Sequence, residues 1–556
     1  MKLQKLIIKN FRGLKGEENI IDFSNSNIIF LIGQNNVGKS SFLRAYEFFV
    51  ASKQNASIED FYNYDISNPI EIEGVFLKEP DDENDEELKG KEKAPDWLNK
   101  WTDSKSLIRI KKIWGNYGEN FKKYTFNPNP EINDWILNGF GGLDTLFTKY
   151  APTPIAINAM ENQATLEEKV NKLMQDDFLK KIKENYQDKY LNLVEGIKEL
   201  QGLITGSEAV EALNNNLNEN FCKVFNGLTL KIQSVKDENI KLEDAFKKNH
   251  SITVERDDCL RKETFLQNGH GLIRQALFNF LAFLKKDSSS NTKQYLILFE
   301  EPELFLHPKI AFNLRESLYS LAENSPYQIL CATHSPLMID ISRPHSSLIK
   351  VIKKRDETTQ TFQVGENLFG RDEDMKNRVQ MINRFNPHIC ESFYADKVLL
   401  VEGDTETIVY RDLLSRFFPN EEIFVLNTGS KMNIPFFQEI LTAFRIEHYV
   451  IHDTDVAKSK TGHNNPAWTL NREIWGWIEK ANIIIQGLAR RYVHEKNFEF
   501  AHKVTQPING KPLNAYLFVK GVNLDTDCPC LNWLKDIIGK KEILHDQTYI
   551  DCLNLN

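Results

Sequence analysis

Long apolar runs are missing from this 556-residue chain. No stretch of about 18 apolar residues runs uninterrupted, so no membrane-spanning helix is expected. Cysteine is sparse and odd in number, seven in all, which argues against a disulfide framework. Cys528 and Cys530 form a Cys-Pro-Cys with no second Cys or His pair at zinc-finger spacing, and two reduced thiols in a turn are the simpler expectation. An excess of positive charge is missing too. The net charge of −9 does not advertise a nucleic-acid binder, although local basic patches and bound cations act within acidic chains. The opening MKLQKLIIKNFRGLKG lacks the apolar run and small-residue cleavage site of a secretory signal, and a cytoplasmic location is the expectation. No internal repeat or extended low-complexity tract is evident.

What remains is ordinary for a globular protein: 41% hydrophobic and 26% charged residues, in a chain too long for one core. Two or three domains are expected. Short apolar runs bounded by polar residues mark strands at Leu3–Ile8, Asn27–Ile32, Ile70–Leu77, Tyr295–Phe299, Gln328–Ala332, Lys397–Val401, Ile423–Leu426 and His448–Ile451. The acidic run from Glu79 to Glu87 reads as a solvated loop. Between Leu179 and Leu200, apolar residues recur every three or four positions amid Lys and Glu, predicting an amphipathic helix. A charge-rich segment, Gly370 to Asp374, reads as a linker, and strand–helix alternation restarts beyond it.

The segment Gly33-Gln-Asn-Asn-Val-Gly38-Lys39-Ser40 fits G-x-x-x-x-G-K-[ST] between an apolar strand and a helix, as a phosphate-binding loop requires. Glycines let backbone N–H groups curl around phosphates, and the helix N-terminus adds its positive dipole end. Lys39 is expected on the β/γ-phosphates and Ser40 on Mg²⁺, with Gly33, Asn35, Asn36, Gly38 and Ser41 completing the ATP contacts. The strand from Tyr295 delivers Glu300 and Glu301, which resemble a Walker B pair: Glu300 to hold the Mg²⁺ and Glu301 to polarise the attacking water. His334, one strand later in Ala-Thr-His-Ser-Pro, resembles the switch histidine that senses a γ-phosphate.

This order of parts resembles the ABC ATPase heads of the SMC and RecF-like class. Arg12, in Asn-Phe-Arg-Gly, is similar to that class's arginine near the nucleotide. No Leu-Ser-Gly-Gly-Gln signature is present; Gln-Asn-Gly269-His-Gly271 stands in its place, with Asn268 where the serine would be. In the class this segment works across a dimer interface, so the resemblance implies at least a homodimer, with Gly269 and Gly271 donating N–H groups to the γ-phosphate.

A second constellation lies downstream. Glu402-Gly403-Asp404-Thr405-Glu406 follows an apolar strand, and Asp453-Thr-Asp455 ends another about 50 residues later. Glu402 with Asp453 and Asp455 is the E-G…D-x-D pattern of a Toprim domain. Parallel strands would bring these acids together at their C-terminal ends, and clustered carboxylates call for Mg²⁺ or Mn²⁺. A P-loop ATPase followed by a Toprim domain resembles the OLD (overcoming lysogenization defect) nucleases. The segments Glu300-Glu-Pro-Glu303-Leu-Phe-Leu-His307-Pro and Gly429-Ser-Lys431-Met-Asn433 are similar to segments of that family. The resemblance implies Glu499 as a later metal-site acid beside Glu402, Glu406, Asp453 and Asp455, and Lys511 as the lysine that steadies the transition-state phosphate. Arg490 and Arg491 are readable either as DNA-phosphate contacts or as a solvated helix face.

The expected fold class is α/β. An ABC-type ATPase occupies 1–154 and 251–380, a helical dimerisation insert 155–250 and a Toprim nuclease domain 381–556. The expected function is an ATP-gated, metal-dependent DNA endonuclease of anti-phage defence, similar to Gabija-type or retron-associated effectors. A helicase, or a reverse transcriptase with its DNA product, is a possible operon partner. The competing expectation is an ATP-operated DNA-binding scaffold with a non-cutting Toprim domain.

Overall fold

The computed structural model describes residues 1–16, 19–79, 100–138, 150–161, 164–165, 167–169, 208–224, 228–234, 250–256, 263–264, 271–272, 276, 294–323, 325–354, 356–364, 377, 387–458, 462–463, 465–504, 510–541 and 545–553. The expected helix over 179–200, the linker at 370–374, most of the acidic run and Gly269 lie outside these residues. The chain divides into two compact units. One is Met1–Leu31, Gly38–Met338 and Arg355–Thr359; the other is Ile32–Val37, Ile339–Lys354 and Gln360–Asn556.

The first unit opens with β1 (Lys2–Lys9), β2 (Asn19–Asp22), β3 (Ile28–Ile32) and helix α1 (Lys39–Val50). Then come β4 (Ile70–Leu77), β5 (Leu107–Trp114), β6 (Lys122–Asn127), β7 (Asp134–Leu137) and β8 (Thr153–Ile157). An antiparallel sheet takes the order β2-β1-β4-β5-β6-β7. In β5 every second residue is buried, because one face of that sheet packs inward while the other carries Arg109 and Lys111. Helix α2 (Glu208–Val224) precedes a small antiparallel sheet of β9 (Leu228–Ser234), β10 (His250–Arg256) and β11 (Glu263–Thr264).

The element that positions chemistry in this unit is a parallel array. Strand β12 (Tyr295–Glu300) pairs with β8 on one side and β13 (Tyr327–Ala332) on the other, with α3 (Pro308–Ala322) connecting β12 to β13. β13 in turn pairs with β3. β3 and β13 are buried at every residue, which explains why both read as short unbroken apolar runs. The register Leu31↔Ala332↔Glu300 aligns three strand ends on one edge.

The second unit contains β14 (Leu348–Lys353) and most of β15 (Thr359–Gln363), then a parallel sheet. That sheet comprises β16 (Lys397–Val401), β17 (Ile423–Asn427), β18 (Glu447–Asp453) and β19 (Ala489–His494), in the order β17-β16-β18-β19. Its helices are α4 (Asp404–Phe417), α5 (Ile434–Ala443), α6 (Pro466–Ile484), α7 (Phe498–Ala501), α8 (Lys511–Lys520), α9 (Pro529–Ile538) and α10 (Gln547–Cys552). Leu399, Val401, Tyr449, Ile451 and Tyr492 pack in one core with α4, α8 and α9. The alternate residues Val398, Leu400 and Val450 are also fully buried, so the sheet is covered on both faces. Chain order reverses between β16 and β18, and the crevice beyond such a reversal is where open α/β sheets bind ligands. No helix among the described residues is long and apolar enough to cross a membrane.

Candidate functional site

The loop between β3 and α1 is shaped by backbone conformations that need glycine. Gly38 has φ +98 and caps α1, and a Cβ there would lie 2.8 Å from Leu14 Cδ2. At Gly33, with φ +148, a Cβ would lie 2.4 Å from the Val351 carbonyl oxygen. Asn36 also adopts a left-handed conformation (φ 62), which asparagine tolerates better than most residues. Asn35, Asn36 and Ser40 are exposed, whereas Lys39 is 5% exposed. The Ser41 hydroxyl accepts a 3.4 Å hydrogen bond from the Gly13 amide. Arg12, the residue before it, spends its guanidinium on Asp60, with contacts of 3.0 and 2.8 Å to one carboxylate oxygen.

Lys39 meets the end of β13. Its Nζ lies 3.3 Å from His334 Nδ1, and His334 Nε2 lies 3.3 Å from Glu301 Oε1. Burial and the Lys39 ammonium hold His334 down near 4, so the imidazole is neutral at physiological pH. Burial, reinforced by the neighbouring Glu303, pushes the Glu301 carboxyl up to about 8. Glu301 has φ +47, while its amide donates to the Ala332 carbonyl at 2.8 Å. Glu300 is half-buried and accepts a 3.4 Å hydrogen bond from the Ala159 amide. Gly271 packs against the same segment: a Cβ there would lie 2.7 Å from Leu306 Cδ2.

One residue here had no role assigned from the sequence. Glu303 Oε1 accepts from the Thr333 hydroxyl at 2.6 Å, the His334 amide at 3.2 Å and the Ser335 amide at 3.0 Å. Its carboxylate therefore fixes the loop that presents His334. Only the spacing Glu-Glu-Pro-Glu hinted at it.

The second cluster lies at the reversal point of the parallel sheet. Glu402 follows β16, and its Oε1 accepts a 2.6 Å hydrogen bond from the Asp453 amide at the end of β18. Glu406 is in the first turn of α4 and is 6% exposed. His494 is opposite Asp453 in the β18–β19 register, with Nδ1 3.1 Å from Asp453 Oδ1. Donor atoms of Glu406, Asp453 and His494 all lie within 4.8 Å of one another. His494 is fully buried, and its Nε2 has no hydrogen-bond partner among the described residues.

Burial and mutual repulsion dominate the charges. Burial, then Asp453, pushes Glu402 up to about 8, and burial, then Asp455, pushes Asp453 up to about 7. Glu406 is raised for the same first reason. Such a set of oxygen donors fits a divalent cation, whose charge would offset the repulsion that holds these protons on. Asp455 turns instead to Lys431, whose Nζ is 2.7 Å from Asp455 Oδ2 and also donates to the Asp453 carbonyl. Glu499, in the first turn of α7, pairs with Lys511 at the start of α8 at 3.1 Å. The sequence-derived acids thus fall into a core of Glu402, Glu406 and Asp453 and two lysine-paired flanks. His494 and the part of Lys431 were not foreseen. A lone histidine at a strand end carries no sequence signal, and only the strand register reveals it.

Arg491 requires a correction. It lies on strand β19 rather than on a helix, is 1% exposed, and donates to the carbonyls of His545 (2.8 Å) and Asn471 (2.7 Å). It is a structural brace, not a phosphate contact. Burial with partners accounts for a cation in this place.

Residues 1–339 match the family model of the AAA ATPase domain. The chain belongs to that family. Residues 393–455, which carry Glu402, Glu406, Asp453 and Asp455, match the overcoming lysogenization defect protein-like Toprim domain. The chain is similar to the Old nuclease of Escherichia phage P2, 26% identical over 499 residues, spanning 82% of this chain and 77% of that protein. It is similar to the endonuclease GajA of Bacillus cereus (strain VD045), 25% identical over 489 residues, spanning 83% and 76%. It also matches the OLD nuclease of Thermus scotoductus, 31% identical over 163 residues, 29% of this chain and 31% of that protein. This AAA family member therefore joins an ATPase domain to an OLD-like Toprim domain, as the order of its motifs implied.

Proposed function

We propose that this protein is a divalent-metal-dependent DNA endonuclease whose cutting is gated by ATP in a homodimer, acting in anti-phage defence. The observation that carries the reading is the convergence of Glu402, Glu406 and Asp453 at the reversal point of the Toprim sheet, with all three carboxyls raised from their ordinary range by burial. A largely buried group of mutually repelling acids is costly to the fold unless a cation offsets the repulsion. The nuclease relatives over most of the chain support the same conclusion, and the resemblance to Gabija-type effectors is what points to defence.

In this reading Glu402, Glu406 and Asp453 hold Mg²⁺ or Mn²⁺, with His494 orienting Asp453. When bound, the metal lowers the pKa of a coordinated water and stabilises the leaving oxygen of a phosphodiester. Lys431 holds Asp455 at the flank of the cluster, and Lys511 offers a positive charge to the transferring phosphate. In the ATPase domain Lys39 and Ser40 take the phosphates and their magnesium, Glu301 the attacking water and His334 the γ-phosphate.

The test is nicking of supercoiled plasmid in Mg²⁺ or Mn²⁺, with and without ATP, by the parent, Glu402→Ala and Lys39→Ala. Metal-dependent nicking that vanishes in Glu402→Ala supports the reading, and the Lys39→Ala lanes give the sign of the gating. DNA binding and ATP turnover without nicking on plasmid, branched or single-stranded DNA would favour a non-cutting scaffold instead.

A further inference from the structure

Cys528 and Cys530 do not sit in a turn. Cys528 is the N-cap of α9, Pro529 is the first helical residue and Cys530 is in the first turn. Their sulfurs are 3.6 Å apart, with Cys528 7% and Cys530 0% exposed. A disulfide has its sulfurs about 2.05 Å apart, so an approach of about 1.5 Å closes this pair. Around them lies a stack of rings. The Cys530 amide donates to His502 Nε2 at 3.2 Å, and His502 Nδ1 is 3.0 Å from the Phe498 carbonyl. Both nitrogens of His502 are therefore engaged, which leaves it a poor third ligand for a thiolate metal site. The His502 ring stacks on Phe498 at 4.1 Å and faces His494 at 5.2 Å, and His494 holds Asp453.

We propose that Cys528 and Cys530 are a redox-active dithiol, a modification site oxidised reversibly by a hydroperoxide, whose state reaches Asp453 through His502 and His494. Two features assign the parts. Cys528 is the more exposed sulfur, at a helix N-terminus whose dipole favours a thiolate. The hydrogen bond between the two sulfurs, in which either atom can donate, draws the Cys528 thiol down to about 7 and raises that of Cys530.

In the first step the Cys528 thiolate attacks a peroxide oxygen. The S–O bond forms, the O–O bond breaks, and the leaving hydroxide takes up a proton as water. In the second step the Cys530 sulfur attacks the Cys528 sulfenic acid. The S–S bond forms, the S–O bond breaks, and a second water leaves with the Cys530 proton. Two thiols and one hydrogen peroxide give one disulfide and two waters, with two electrons passing from sulfur to peroxide. An external thiol reverses the reaction by exchange. Drawing Cys530 toward Cys528 shifts the amide that holds His502, and the ring stack carries that shift to His494.

The test uses the full chain with Cys552→Ser, since Cys552 is exposed and would react on its own account. Hydrogen peroxide should remove ~2 Da, two hydrogens, from the peptide containing residues 528–530, and dithiothreitol should restore it. In Cys530→Ser the reaction should stop at a Cys528 sulfenic acid trapped by dimedone. Hydrogen–deuterium exchange over residues 489–504 should change on oxidation in the parent and stay unchanged in Cys530→Ser. Thiols at 528 and 530 that stay reduced, or that oxidise only after the fold melts, overturn the site. A disulfide formed with unchanged exchange over 489–504 overturns its reach to Asp453. Plasmid cutting, read last, should fall several-fold on oxidation and recover with dithiothreitol. Absence of cutting in both states would count against the nuclease reading alone, because the mass and exchange results do not depend on it.

Discussion

The Thr333 hydroxyl donates a 2.6 Å hydrogen bond to Glu303, which ties the loop bearing His334 to the segment bearing Glu300 and Glu301. The same Glu303 oxygen accepts the amides of His334 and Ser335. These bonds hold the His334 loop in position. Glu303→Ala should lower kcat for ATP about tenfold to a hundredfold, since each lost hydrogen bond to a charged group is worth ~1.5–3 kcal/mol. KM should move little. Glu303→Gln keeps an acceptor and should lose less, as steady-state ATP turnover of the two variants would show.

Burial and the neighbouring acids keep the Glu402 proton on up to about pH 8 in the metal-free protein, and a bound cation would offset that cost. Magnesium or manganese should therefore raise the melting temperature, and a chelator should lower it. Glu402→Gln mimics the protonated carboxyl, keeping the shape and the acceptor for the Asp453 amide, but cannot ionise to meet a cation. Its metal-free form should melt at or above the parent, while its gain on adding metal should shrink. Scanning fluorimetry with EDTA, Mg²⁺ and Mn²⁺ checks both halves, and a metal response equal to the parent's would remove Glu402 from the donor set.

Lys112 gives stability a pH dependence of definite sign. Burial, and then the nearby Lys123 ammonium, lowers its pKa to about 7 in the folded protein against 10.5 for the ordinary side chain. Between those values the unfolded chain binds more protons, so stability rises with pH across that window and the penalty is full below it. Lys123, lowered by burial to about 8, adds in the same direction. Lys112→Met should make the rise in melting temperature from pH 7 to 10 shallower. A slope equal to the parent's would show that Lys112 keeps its charge, aided by the Ala51 carbonyl 2.8 Å from its Nζ.

Arg491 and Arg490 should part company. Arg491→Ala leaves the carbonyls of Asn471 and His545 without their donor and opens a gap beside Trp475, so a loss of roughly 2–5 kcal/mol is expected. Arg490→Ala should change stability little. Urea denaturation measures both, and equal midpoints would contradict the assigned brace.

Much of this arrangement was legible in the residues themselves. Lys39 stood out because an apolar strand and an amphipathic helix flank its loop, and Glu402 and Asp453 because each ends a short apolar run. Those signals are local. The parts that stayed hidden are set by register and return of the chain. His494 faces Asp453 only because β18 and β19 pair in that register, and Glu303 meets Thr333 only because the chain reverses after Glu301. Arg491 misled for a related reason: two adjacent arginines look solvated until the strand alternation sends one of them inward. Glu499 and Lys511 stand twelve positions apart, each at the start of a short helix, and their ion pair closes through tertiary packing.

The left-handed backbone at Glu301 sets folding against chemistry. A non-glycine residue held there costs about 1–3 kcal/mol, and glycine would adopt the same angles almost freely. Glu301→Gly should therefore yield a protein at least as hard to unfold as the parent and unable to turn over ATP. Redesign of this enzyme for stability therefore carries a hazard: a glycine that relieves the backbone at Glu301 also removes the carboxylate proposed to polarise the attacking water.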